Sequence, residues 1–369
     1  MISDIIIDKD EFQSLDCEWA NFIKNNSVNK INQNNDLDLC VNPNNPANEN
    51  VIDVQCSDIK ISTKTNIVFL NKDIDIYDIF WKINILNYDI NNEGIIKKQI
   101  KISCLSREDL NIINNKLSNE KDYTIKILNN IDNPNGRTKF KHIQKITVGI
   151  SKKDILNARS IKKSAFYNCI VISLRILYDN VYNEVHIKVF NTGKIEIPGI
   201  KSDNMFRYSI DKFINILQKF YTEELYYNKD KVDTILINSH FYCNYNINRD
   251  LLFNIIRYKY NINSYYDSCS YPGIQSTFYY NTNINDDDLQ VGYIINKNDT
   301  YTKMSFMIFR TGSVLIVGKC NELMINCVYK FIKNILFSYS DTIYDSYIYT
   351  KKIKTSIKKK NKRIVYVSV

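Results

Sequence analysis

The sequence predicts an α+β protein made of two tandem copies of one unit, each running strand, helix, strands, helix. Three observations carry this: the chain is similar to itself, each copy has a Thr-Gly turn between apolar runs, and each ends in an amphipathic helical stretch. Residues 185 to 217, VHIKVFNTGKIEIPGIKSDNMFRYSIDKFINIL, recur as SFMIFRTGSVLIVGKCNELMINCVYKFIKNIL at 305 to 336. Phe190, Thr192, Gly193 and Gly199 fall on Phe309, Thr311, Gly312 and Gly318 without a gap. A repeat of this kind fixes architecture before any single motif does.

Within each copy, the glycine after threonine supplies the positive φ that a short hairpin needs. Apolar residues then recur at helical spacing: Phe206, Ile210, Phe213 and Leu217 in one copy, Met324, Val328, Phe331 and Ile335 in the other. A weaker echo lies upstream, where residues 60 to 83 resemble 234 to 256. In both, a β-rich strand leads to Asp75 or Asn248, placed to cap a short helix.

This gives four parts: 1–50, an acidic helix and Asn-rich linker; 51–225, the first repeat, with an insertion at about 87–145; 226–345, the second repeat; and 346–369, a basic tail. In the first part, Phe12, Leu15, Trp19 and Ile23 form an apolar stripe flanked by acids. Residues 25 to 50 carry NPNNP and no sustained periodicity, the composition of a flexible arm.

Charge is unevenly spread. Net charge is +9, yet residues 1 to 58 hold about eleven acids against about three bases, whereas Lys351 to Arg363 gathers about eight bases. No apolar run approaches a membrane span, and the acidic start lacks the basic flank of a signal peptide, so a soluble intracellular protein with no membrane association is expected. The nine cysteines form no CxxC pair and only three histidines are present, so neither a metal nor another cofactor is expected. No nucleotide-binding glycine loop, HExxH or GxSxG motif appears, and the chain is not expected to be an enzyme.

The ordered strings FNTGKIEIPGIKS (Phe190 to Ser202) and FRTGSVLIVGKC (Phe309 to Cys320) resemble the FxSGKxxxTGAKS signature of the TATA-binding proteins. YDSCSYPGI at Tyr266 to Ile274 is similar to that family's YEPELFPGL. ARSIKKSAFYNCIVISLRI, Ala158 to Ile176, resembles its ARNAEYNPKRFAAVIMRI with one extra residue. The resemblance covers about two thirds of the chain and, with the insertions and AT-biased composition, looks like the divergent versions found in giant DNA viruses.

It implies a curved antiparallel sheet, a saddle with helices on its convex side, whose concave face lies in the DNA minor groove. Aromatic wedges then unstack base steps and kink the duplex. The positions that match the family's wedges are Phe190, Phe309 and Tyr271; the fourth falls on Cys169 without a gap, or on Phe166 or Tyr167 with a shift in the loop.

Groove-floor contacts fall on Leu315 and Val317 in the second repeat, but on Glu196 and Pro198 in the first, and a carboxylate there opposes a duplex. Candidate phosphate contacts are Lys194, Lys201, Arg175, Arg310 and Lys319. The loosely aligned Asn66 and Asn238 are candidate groove readers.

The implied partners are AT-rich promoter DNA and general transcription factors or RNA polymerase subunits. The implied location is the host nucleus, a cytoplasmic viral factory or the virion. The competing reading is a scaffold of the same fold that docks transcription proteins without wedging DNA. The acidic start, on its Asn-rich tether, is a candidate competitor for the concave face.

Overall fold

The structure, a computed structural model, describes residues 54–156, 166–284 and 286–345. The expected N-terminal helix, the Asn-rich linker, the basic tail and the start of the Ala158 to Ile176 string lie outside the described residues. So does the acidic segment proposed to reach the sheet, up to residue 53.

The first repeat runs β1 (Lys60–Phe69), α1 (Ile76–Lys82), β2 (Gly94–Cys104), α2 (Arg107–Leu117), β3 (Tyr123–Asp132), β4 (Phe140–Gly149) and α3 (Lys152–Leu156). It ends with β5 (Cys169–Tyr178), β6 (Val181–Phe190), β7 (Lys194–Ile200) and α4 (Asp203–Gln218). The second runs β8 (Asp233–Tyr242), α5 (Arg249–Asn254) with a π-helical turn at Ile255–Lys259, β9 (Asn263–Tyr265) and β10 (Gly273–Asn281). It closes with β11 (Tyr301–Phe309), β12 (Ser313–Gly318), α6 (Glu322–Ser338) and the short α7 (Ser340–Ile343).

The twelve strands of the described residues form one antiparallel sheet in the order β3-β4-β2-β5-β6-β7-β1-β8-β12-β11-β10-β9. The order is a mirror about the β1–β8 seam: β2-β5-β6-β7-β1 on one side answers β9-β10-β11-β12-β8 on the other. Two tandem repeats of one α+β unit therefore build a single open sheet. What the first repeat adds is α2 with the hairpin β3–β4, which extends the sheet beyond β2. Strand β2 itself, inside the stretch read from sequence as insertion, is the counterpart of β9.

Local chemistry sets the helix starts. Asp75 Oδ1 accepts from the Tyr77 and Asp78 amides at 3.0 Å each, and Asn248 Oδ1 accepts from the Leu251 amide at 3.2 Å. Ser202 and Asn321 cap α4 and α6 through the Met205 and Met324 amides. Each cap satisfies an amide that the first helical turn leaves without a partner.

Both hairpin glycines have positive φ, +71° at Gly193 and +75° at Gly312. A Cβ at Gly193 would stand 2.4 Å from the Lys72 carbonyl oxygen, and one at Gly312 would stand 2.2 Å from that of Cys243. The turn is thus pressed against the chain leaving β1 or β8, which no side chain permits.

Each repeat buries its own core between one sheet face and its helices. Val189, Ile187, Ile195, Ile172 and Leu174 pack with Phe206, Ile210, Phe213 and Leu217 of α4 and with Phe80 of α1. Phe241, Phe306, Ile308, Val314 and Ile316 pack with Val328, Ile332 and Ile335 of α6. The α4 stripe is the one its spacing predicts. In α6 the buried line is shifted: Ile325, Val328, Ile332, Ile335 and Leu336 go inward while Met324 and Phe331 are only partly buried. Residues 322 to 338 are apolar on most sides, so periodicity alone could not select the inner face.

One charge enters the first core. Lys98 of β2 is fully buried, donates to the Ile83 carbonyl at 2.9 Å and to Glu120 Oε1 at 2.6 Å, and lies over the Phe80 ring. Burial lowers its pKa, with Glu120 working in the opposite direction.

Because the Gly312 turn combines a left-handed backbone with a carbonyl contact, Gly312→Ala should cost about 2 to 3 kcal/mol. The corresponding fall in melting temperature, about 3 to 5 °C for a chain of this size, is measurable by calorimetry. An unchanged transition would show that the turn is not held as described.

Candidate nucleic-acid interface

Because strand side chains alternate, the residues between the core positions define a second face of the sheet; the long helices pack on the other side, and the short α3 meets this face at one place, where Asp154 holds Lys97 and the Lys152 amide donates to Glu184. In the second repeat this open face carries Ser313, Leu315 and Val317 of β12, Met307 and Phe309 of β11, and Asn238, His240 and Tyr242 of β8. The ladder confirms the alignment of these rows: Leu315 is opposite both Met307 and His240, and Val317 is opposite Asn238. In the first repeat the same face carries Cys169, Ser173 and Arg175 of β5, His186, Lys188 and Phe190 of β6, and Lys194, Glu196 and Pro198 of β7.

The aromatic candidates occupy the hairpin ends. Tyr271 and Phe309 are in ring contact, with centroids 5.9 Å apart and planes tilted by 59°, and the Tyr271 hydroxyl donates to Met307 Sδ at 3.7 Å. With Leu315 and Val317 they form an apolar patch.

In the first repeat, each ring is met by an ammonium instead. Lys194 lies 5.0 Å from the Phe190 centroid, Lys188 lies 4.9 Å from that of Phe166, and Lys101 lies 3.3 Å from that of Tyr167. Each such contact is worth about 0.5 to 1 kcal/mol at an exposed site.

The fourth aromatic position, left open by sequence alone, can be read from strand register. Phe309 is opposite Gly273, two residues after Tyr271, and Phe190 is opposite Cys169, two residues after Tyr167. The geometric counterpart of Tyr271 is therefore Tyr167, which is 54% exposed, as against 44% for Phe166 and 3% for Cys169. The Cys169 thiol is a packing group, its pKa pushed up to about 11 chiefly by burial.

The polar candidates divide in two. Lys201 and Lys319 are exposed in the loops that join β7 to α4 and β12 to α6. Arg175 is unsuited to a phosphate: it is 6% exposed, and its guanidinium is spent on the carbonyls of Ile90 and Tyr88 at 2.8 and 3.0 Å. Arg310, in the turn after Phe309, is 3.6 Å from Asp345.

Glu196 is not a bare carboxylate, because Lys188, directly opposite it on β6, donates to Oε1 at 2.7 Å. Its repulsion of an anion is correspondingly offset. Asn66 and Asn238 lie at the β1–β8 seam, where Asn66 accepts from Thr234 Oγ1 and Asn238 donates to Thr63 Oγ1, each at 3.0 Å. Asn238 Oδ1 is buried without a hydrogen-bond partner.

Sequence reasoning missed Met307, His240 and Lys188. The signal was available for Met307, two residues before Phe309 on the same strand, since period two assigns both to one face. Lys188 follows from Phe190 by the same count. His240 required the β8–β12 register.

Among the described residues no group of three or more His, Cys, Asp or Glu is placed to hold a metal, and no helix is long and apolar enough to cross a membrane.

Burial, and then the charge of Lys60, lowers the His240 pKa from its ordinary 6.5. The unfolded chain therefore takes up a proton first, and the stability that the neutral imidazole contributes is present above pH 6.5 and lost as pH falls through the folded value. Between pH 7.5 and 5, His240→Gln should flatten this part of the stability profile measured by urea unfolding. An identical profile would remove His240 as its source.

No family model matches the chain. It is 26% identical over 200 residues to a protein of Acanthamoeba polyphaga mimivirus named "TATA-box-binding protein-like". The match covers 47% of this chain and 48% of that relative, so the chain spans about half the length of the curated protein it matches. Among solved structures, Methanococcus jannaschii TBP aligns with 77% of this chain and 99% of its own, at 13% identity and a TM-score of 0.36. The chain is TATA-binding-protein-like in sequence, as its repeated motifs suggest.

Proposed function

We propose that this protein is a TATA-binding-protein-like transcription factor that seats AT-rich duplex DNA on its open sheet face and bends it from the minor groove. The observation that carries this reading is the Tyr271–Phe309 ring pair at a hairpin end, continuous with Met307, Leu315 and Val317 on the side away from the helices. Driving such rings into a base step costs a few kcal/mol of unstacking. Burying a fully exposed ring returns about 2 to 3 kcal/mol, but Phe309 is only 9% exposed and Tyr271 is partly buried, so the pair offsets only part of one kink.

The two repeats are unequal in this role. Rings of the first repeat must leave their lysines before they can insert, and of those lysines Lys188 stays held by Glu196. The second repeat therefore supplies the stronger wedge. The helix-covered side remains for general transcription factors or polymerase subunits. The name of the mimivirus protein supports the family reading, and the nucleus or a viral factory is the corresponding place of action.

A second reading, a scaffold that docks transcription proteins without bending DNA, is favoured by the Lys188–Glu196 ion pair. It leaves the floor of the first repeat with little net attraction for a phosphate backbone.

Energy transfer across an end-labelled AT-rich duplex, titrated over a salt series, separates the two. Bending by the unaltered protein is expected, with Tyr271→Ala/Phe309→Ala abolishing it and Phe190→Ala reducing it less. Salt-sensitive binding with no change in end-to-end distance would favour the docking scaffold.

A further inference from the structure

The chain just ahead of β1 is held against the chain just past β8 by a short antiparallel pairing. Cys56 is directly opposite Cys243, and two backbone bonds flank the pair: the Ser57 amide donates to the Tyr242 carbonyl at 2.7 Å, and the Asn244 amide donates to the Gln55 carbonyl at 3.0 Å. Bonds between the neighbours, and not between the two residues themselves, mark the closely spaced site of an antiparallel ladder. Cα atoms at such a site stand about 4.5 Å apart and the side chains are close. That separation lies within the range of about 4.4 to 6.8 Å that a disulfide spans.

The two thiols meet. Cys56 donates a hydrogen bond to Cys243, which raises its own pKa and lowers that of its partner. Cys243 is buried in the second core, and Cys56 packs against that core while staying partly exposed. The backbone on both sides is fixed. The Gln55 amide donates to Asn244 Oδ1 and the Tyr242 amide to Ser57 Oγ, each at 3.0 Å, and the Tyr329 hydroxyl of α6 donates to the Ser57 carbonyl at 3.1 Å.

A buried cysteine is ordinarily a small apolar filler. Filling does not call for two thiols at one closely spaced site with one of them open to solvent. Disulfide formation calls for both.

We infer that Cys56 and Cys243 form a reversible disulfide that staples the two repeats together at the end of the β1–β8 seam. The oxidant is a low-molecular-weight disulfide such as oxidised glutathione. Cys56, the accessible thiol, attacks it as the thiolate, which gives a mixed disulfide and releases one glutathione thiolate. Cys243 then attacks the Cys56 sulfur as the thiolate, and the second glutathione thiolate leaves. The two protein protons end on the two released thiols, and two electrons pass to the small disulfide. Excess reduced glutathione reverses both steps.

The bond closes a covalent loop over the whole first repeat, and long loops restrict the unfolded chain most. It also braces the turn behind Phe309, because the Cys243 amide donates to the Gly312 carbonyl at 2.9 Å. The chemistry is independent of DNA.

To test the staple, the full chain is equilibrated in glutathione buffers of graded ratio, quenched with acid, alkylated, and digested without reduction for mass spectrometry. The expected product is a linked Cys56–Cys243 peptide pair, two hydrogens lighter than its parts. The oxidised chain should melt about 3 to 8 °C above the reduced one, and dithiothreitol should return it to the reduced value. Cys56→Ala and Cys243→Ala should each abolish the gain, and Cys56→Ala, at a partly exposed position, should melt close to the reduced unaltered chain. Cys269→Ala, which removes an exposed thiol elsewhere, should keep both the linked pair and the gain. Absence of the pair at every ratio, arrest at glutathione adducts, Cys56 joined to a different cysteine, or a linked pair with no rise in melting temperature would each overturn the staple.

Discussion

The antiparallel pairing of β1 with β8 is the interaction on which the rest of the structure depends. It joins two separately cored repeats into one sheet, running from Lys60 opposite His240 to Ile67 opposite Asp233, with irregularities on either side of Thr63 to Thr65. Since a slip of one residue would exchange the two faces, this register decides which side chains reach the cores and which reach the open face. Lys64 reinforces it from the helix side, where its ammonium stands 3.5 Å from Asp203 and 3.7 Å from Glu322, the first turns of α4 and α6. Neither contact is strong alone in partly exposed surroundings. Their value is geometric, since one central side chain addresses both long helices.

Much of this was legible in the sequence because the signals are local. The Thr-Gly turns, the capping Asp75 and Asn248 and the α4 stripe each follow from a few adjacent residues and one backbone rule. The inner face of α6 was not, because an almost uniformly apolar helix carries no phase information. Nor was the role of β2, whose counterpart β9 is only three residues long and offers little to align. The site shows the same division. Phe190 and Phe309 could be found by repetition, whereas choosing among Phe166, Tyr167 and Cys169 required a ladder register set by strands outside the motif. Arg175 shows how a residue type can mislead: a guanidinium in a plausible place is already satisfied by two carbonyls contributed from a distant loop.

The open face combines two kinds of aromatic environment. In the second repeat ring meets ring and the neighbours are apolar; in the first, ring meets ammonium and the neighbours are charged. Both arrangements keep large side chains at a hairpin end without a covering helix. They differ in what must be given up when something else approaches. The ring pair loses little by meeting another flat apolar surface, while a lysine-covered ring exchanges one electrostatic partner for another.

That difference gives the molecule a polarity that its repeated architecture would otherwise lack. Two identical halves would accept an AT-rich duplex equally well in either direction, because the minor groove of such a sequence reads nearly the same from both ends. With Tyr271 and Phe309 in one half, and the Lys188–Glu196 pair and lysine-covered rings in the other, the two directions are no longer equivalent. A gap of about 1.4 kcal/mol already corresponds to a tenfold preference. In the proposed function, a local divergence between two hairpins therefore decides which way along a duplex the bound protein points.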